Sequence, residues 1–383
     1  MPKGLDGEPT IGSKDGWFSR REAAENRAFP GAGNTGNQSA CRPDGGNGMG
    51  KYLLRRMSTL IFVLWGMSLV TFSISNVVPV DPAAAAAGME GSPEVIERIR
   101  KELGLDRPLY EQYLRYMGNI LLKGDLGYSI LNKRPVLQDI ITFLPASIEL
   151  AVFSLLLCTV LGILLGIFTA TRAGGFADAL VRVFAVGGVA MPIFWLALLL
   201  QLLFYGILGW FPDGGRLGWQ FESPPPMTHL YLADSLLAGR GSVFLDALMH
   251  LILPGFTLAL ANIAIVTRMT RSSLLEVLHQ DYIKAARARG LSNLRVLFRH
   301  ALKNALIPVV TVIGLQLGHL IAWVFLVEII FSWPGIGSYM VRSIVNLDFP
   351  AVMGCTLFTS FIYVFINLLV DVIYVTLDPR ISY

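Results

Sequence analysis

Charged residues are spaced very unevenly along the chain. Six stretches of more than twenty residues carry no Asp, Glu, Lys or Arg: Met57–Val80, Leu150–Thr171, Val183–Pro212, Ala247–Thr267, Asn304–Val327 and Phe349–Val370. A bilayer core about 30 Å thick is crossed by roughly 20 apolar residues in a helix. A water-soluble domain with a large core supplies one or two such runs, so six predict an all-α membrane protein with six transmembrane helices. A seventh apolar run, Ile329–Val341, has only 13 residues and contains Trp333-Pro334-Gly335. It is too short to span and reads as a re-entrant or interfacial segment.

The polar segments set orientation and boundaries. Arg268–Lys303 carries eight Lys/Arg and two acids, whereas Asp213–Asp246 carries two and four. The positive-inside rule then places both termini, the 172–182 loop and the 268–303 loop in the cytoplasm. Residues 1–50, with 11 Gly and six charges of each sign, have no periodic apolar pattern. They read as a disordered tail or a mis-assigned start, with Met49 a natural beginning. The first span follows at 51–80, then an outer segment at 81–144. A five-helix core occupies 145–377, and 378–383 is a cytoplasmic end. In the outer segment Ser92-Pro93 marks a helix start and Gly104 its stop. Pro108 opens a second amphipathic stretch, Leu109–Leu122, whose Tyr110, Tyr113 and Tyr116 suit a membrane interface. This segment reads as a lid on the spans, a contact surface for a solute-binding partner, or both.

Composition narrows the function classes. The chain is 54% hydrophobic and 15% charged, with mean hydropathy +0.57, far from a soluble enzyme. A net charge of +4 gives no nucleic-acid footprint, and three cysteines make no disulfide scaffold. No phosphate loop occurs: Gly31 and Gly36 have the glycine spacing, but Asn37 stands where lysine is needed. The five histidines show no ligand spacing. An intramembrane protease pairing Ser129 with His319 lacks any oxyanion arrangement. Hence no catalytic residue, metal or bound cofactor is expected.

Ionisable residues at span ends are Glu149, Arg182, Glu328 and Asp371. Structural pairing is the simpler reading for each. Gln201, Asn262, Gln316 and Asn367 lie deeper and are candidates to line a path, although interhelical hydrogen bonds explain them equally well.

The segment Asp281–Ser292, DYIKAARARGLS, is a short helix by pattern, with an acid in its first turn and Gly290 as its stop. It is too polar to enter a bilayer. Its cations suit a topogenic signal or anionic lipid equally well.

Four passages are similar to one family. LGLDRPLYEQYLRYMGNILLKGDLGYS (103–129), NVVPVDPA (76–83), VEIIFSWPGIGSYMVRSIVNLDFPAVMG (327–354) and LDPR (377–380) resemble the dipeptide/oligopeptide/nickel permeases of ABC importers, across roughly 51–383. Ala285-Ala286-x-x-x-Gly290 resembles those importers' coupling motif, with Lys284 where glutamate is usual. The resemblance implies the type I ABC importer permease fold and half of a translocation path in a bacterial inner membrane. It implies as partners a second homologous permease, two ATP-binding cassette subunits that use ATP and Mg, and an extracytoplasmic solute-binding protein. Membrane lipid surrounds the chain. The cargo expected is a small peptide, with a nickel chelate or another small solute as the alternative. The coupling residues would be Asp281, Tyr282, Ala285, Ala286, Arg287, Gly290 and Leu291. Tyr282, Ala285, Ala286 and Leu291 are expected in the contact, and the cations Lys284, Arg287 and Arg289 at its rim. The rival classes are a secondary transporter, which needs coupling charges at mid-membrane, and a membrane scaffold.

Overall fold

The structure is a computed structural model and describes residues 47–77, 82–87 and 92–377. The expectations for the tail up to residue 46, for 78–81 and for 378–383 lie outside the described residues. By contacts the chain falls into Met1–Lys51 and Tyr52–Tyr383. Apart from the opening turn of the first helix, the architecture belongs to the second unit.

Helix α1 (Asn47–Val77) is followed by a short α2 (Pro82–Ala87). Helix α3 (Pro93–Leu103) starts where the hydroxyl of Ser92 accepts from the N–H of Val95, and it stops at Gly104, φ 70°. Helix α4 (Leu109–Lys123) ends the same way at Gly124, φ 65°. A two-residue hairpin, β1 (Tyr128–Ser129) against β2 (Arg134–Pro135), leads into α5 (Val136–Thr171). Next come α6 (Phe176–Ala190) and α7 (Ile193–Gln201), the latter running on as a π-helical turn, Leu202–Ile207. After a long loop, α8 (Tyr231–Leu237) precedes α9 (Gly241–Leu278) and α10 (Asp281–Ala288). Then α11 (Asn293–Arg295) passes through a π-helical turn, Val296–Ala301, into α12 (Leu302–Ile330). The chain closes with α13 (Ile336–Val345) and α14 (Phe349–Leu377).

Among the described residues five single helices are long and apolar enough to cross a membrane, and α6 with α7, bent by 110° at their break, pass the same test together and make a sixth if the pair is one span. The uninterrupted third run, Val183–Pro212, is therefore not one straight helix. Pro192 has no N–H to give, and its ring drives Met191 out of the helical region, to φ −84° and ψ 133°. The second span also begins earlier than its charge-free run: α5 starts at Val136, so residues 136–149 extend the helix ahead of that run. At 36 residues it is about 54 Å long, well beyond the hydrocarbon core.

Helix α9 is the hub. Two thirds of its most apolar window (67%) is buried, against 11% for α1 and for α14. Small residues bring α5 onto it. A Cβ on Gly162 would lie 2.6 Å from the side chain of Val266, and one on Gly166 would overlap Thr270. In the membrane, where water drives no helix association, such close van der Waals packing holds spans together. One core cluster joins Leu251, Leu320, Phe331 and Trp333; a second joins Leu274, Ile283, Val296 and Ala305.

Candidate functional site

The turn between α9 and α12 is built from the end of the hub. After Leu278 the chain turns through His279 and Gln280, and the extended Gln280 opens α10. Asp281 sits in the first turn, where the helix dipole favours an acid, and accepts an ion pair from Lys284 Nζ at 2.9 Å. Gly290, at φ 78°, reverses the chain. An eight-residue helix is not stable alone and is held only by burying a stripe. That stripe is Ile283 (0% exposed) and Ala286 (8%), packed against Leu274, Val296, Ala301 and Ala305.

Within this chain the structure divides the residues expected in that contact. Ala286 is turned into its own chain, and Leu291 is half-buried against the same cluster. Tyr282 and Ala285 are exposed, and the phenol oxygen of Tyr282 accepts a hydrogen bond from Asn304 Nδ2 at 2.8 Å. Lys284, Arg287 and Arg289 are exposed. The missed residue is Ile283, three positions before Ala286; the period was legible, because Ile283 is the only large aliphatic in the helix.

The four deep polar residues do not converge. Gln201 Nε2 donates to the carbonyls of Asp213 (2.7 Å) and Ile330 (3.5 Å), tying the loop after α7 to the end of α12. Asn262 Nδ2 donates to Leu258 O within its own helix. Gln316 is buried on α12. Asn367 lies where α14 crosses Gly318, its Oδ1 2.9 Å from where a Cβ would be. None of the four lines the apolar cavity of about 840 Å³ between α1, α5, α12, α13 and α14.

Buried acids tie the ends of the spans. Glu149 takes Arg216 Nη2 at 2.5 Å and the N–H of Leu232 at 2.8 Å. The Arg216 guanidinium lies 3.7 Å from the ring centre of Tyr231. Glu328, fully buried, takes the Ser147 hydroxyl at 2.5 Å and the N–H of Ser338 at 3.1 Å. Arg182 lies 3.6 Å from Asp178. Structural pairing thus describes Glu149 and Arg182, while Glu328 is seated by dipoles rather than placed at a wet span end. Nothing is described of the Asp371 side chain. Ser129 donates to Asp348 at 2.5 Å, a tie between hairpin and α14. The phenol of Tyr339 is raised by burial and then by its hydrogen bond to Asp139. Burial opposes ionisation of Asp234, but the hydroxyl and N–H of Thr228, both at 2.7 Å, bring its pKa below the usual carboxylate range. Among the described residues no cluster of His, Cys, Asp or Glu could hold a metal.

The fold is a bundle of membrane-crossing helices with a short, partly exposed helix between two of its spans. The chain belongs to the family described as binding-protein-dependent transport system inner membrane component: that family's model matches residues 162–383, and its N-terminal companion matches 49–151. The chain is 48% identical, over 86% of its length and 97% of the relative's, to the probable D,D-dipeptide transport system permease protein of Escherichia coli K12. It is 41% identical to the di/tripeptide transport system permease protein of Pseudomonas aeruginosa, over 87% of this chain and 98% of that one. It is 36% identical to a glutathione transport system permease protein of Escherichia coli O6:H1, over 87% and 99%.

Proposed function

We propose that this permease subunit forms half of the path of an ATP-driven importer of small peptides. The other half comes from a second, related permease. ATP and Mg are used by two separate ATP-binding subunits, and an external solute-binding protein delivers the cargo. The observation that carries the reading is α10, a short helix held to the bundle through Ile283 and Ala286 while Tyr282, Ala285 and Arg289 face outward. That exposed face is free within the described residues to receive a docked subunit. Relatives named for dipeptides and matched over nearly their whole length support a small peptide as cargo. Both termini and α10 lie in the cytoplasm; the excess of Lys/Arg in 268–303 supports this orientation.

The test is reconstitution of this chain with its partners in proteoliposomes. Dipeptide uptake is expected to need ATP and the binding protein, and uptake without ATP would overturn the reading. A cysteine placed at the exposed Gly124, in a chain with its own cysteines replaced, is expected to react with an impermeant thiol reagent in intact cells. One at the exposed Ala288 is expected to react only after the membrane is opened. The reverse pattern would invert the orientation and remove α10 from the ATPase side.

A further inference from the structure

The cytoplasmic halves of α6 and α9 are joined by one polar device. Arg271 Nε and Nη2 donate to Asp178 Oδ1 and Oδ2, both at 2.9 Å. The Asp178 side chain is fully buried and that of Arg271 is 23% exposed. Gly174 N donates to the same carboxylate at 3.1 Å, and Arg182 lies 3.6 Å away. A fork-to-fork pair of this kind fixes distance and angle together, unlike a lysine contact.

Its position relates two elements that otherwise have no common mechanism. Arg271 lies three residues before Leu274, on the same stretch of α9, and Leu274 is buried in the cluster that seats Ile283 and Ala286. The turn of α9 that carries Arg271 is therefore next to the one on which α10 packs. Asp178 sits in the first turn of α6, the half of the bent span that leads to the break at Met191 and Pro192. Further along the pair Gly188 faces Leu260, an apolar contact with no directional bond.

We propose that Asp178 and Arg271 are positioning residues that pass motion of α10 into the bent span α6–α7, so that ATP use moves cargo. The inference rests on α10 being the docked helix of the reading above. Neither residue is assigned contact with ATP or cargo.

The experiment uses the complete reconstituted complex with its binding protein and measures ATP hydrolysis and dipeptide import on the same proteoliposomes. Asp178→Asn and Arg271→Lys are expected to hydrolyse ATP at nearly the wild-type rate while import per ATP falls by about tenfold, within the range of typical site–site coupling. Arg271→Lys, which keeps the charge and loses the fork, is expected to be the milder. If hydrolysis and import fall in proportion, or neither changes, the clamp passes no motion. If even Arg271→Lys fails to assemble, the pair is a folding element and the proposal is overturned. A wild-type complex without binding-protein-stimulated hydrolysis would instead sink the reading of α10, a distinguishable failure.

Discussion

The carboxylate of Glu328 fills the space that a side chain on Gly335 would need. An ideal Cβ on Gly335 would overlap the Glu328 oxygens, and one on Gly337 would come within 2.9 Å of Oε2. The loop Phe331–Gly335 wraps the acid, Ser147 hydrogen-bonds it from α5, and the same hydroxyl oxygen accepts the N–H of Ile336 at 2.9 Å. Trp333 Nε1 completes the seat by donating to Ala146 O at 2.8 Å.

Gly335→Ala is therefore expected to destabilise the outer end by about 1–3 kcal/mol, the usual cost of overpacking a dense core. Glu328→Gln keeps the shape and an oxygen for Ser147 and should cost less. Thermal unfolding of the purified subunit in detergent ranks the two. Equal midpoints would show that the loop is not seated on the acid.

The pair of Arg216 and Glu149 makes a second stability prediction. Both side chains are buried, at 9% and 5% exposure. Arg216→Met strands the Glu149 carboxylate away from water and is expected to cost about 3–5 kcal/mol, as breaking a buried pair from one side does. Removing both charges, as Arg216→Met with Glu149→Leu, should recover most of that loss. The check is a double-mutant cycle on the unfolding midpoint; additive losses would deny the pairing.

These locks explain what was legible in the chain and what was not. Charge-free runs locate the membrane crossings because the bilayer punishes charge along their whole length. The same rule hides the outer part of α5: Asp139 and Glu149 end the run, yet the helix continues because Arg134 and Arg216 neutralise them. Arg216 is 67 residues from Glu149, and Ser147 is 181 from Glu328, so no local pattern announces either contact. Pro192 did announce its break, but a count of apolar residues is blind to backbone geometry. At α10 the helix, its glycine stop and the apolar period from Ile283 to Ala286 were readable, whereas the residues that this stripe packs against, Val296, Ala301 and Ala305, were not.

Gly290 isolates backbone conformation from packing. It holds φ 78°, and nothing lies within 4 Å of where its Cβ would be. Substitution should thus be penalised only by the left-handed conformation, by about 1–3 kcal/mol for a β-branched residue. Asn tolerates that region, so the expected order of retained ATPase coupling is Gly, Asn, Ala, Val. Val at wild-type activity would mean the turn is not needed in the assembled transporter.

Ala285 and Ala286 of α10 offer the sharpest separation of docking from folding. Ala286 is packed within the chain, where Leu274, Val296 and Ala305 leave no room for a charge, so Ala286→Glu is expected to loosen α10 from its own bundle. That variant should lower subunit stability even without partners. Ala285 is exposed beside Tyr282, so Ala285→Trp should leave the isolated subunit's unfolding midpoint unchanged. In the assembled transporter the same indole would collide with whatever covers that stripe. Binding of the ATP-using subunits and binding-protein-stimulated hydrolysis are then expected to fall by about tenfold or more, as for a disrupted hot spot. Single changes of Lys284, Arg287 or Arg289 to Ala should cost about 1 kcal/mol or less, as exposed charges do. Normal hydrolysis in Ala285→Trp, together with collapse when all three cations are removed, would make α10 an electrostatic membrane anchor and leave the docked face to be sought elsewhere.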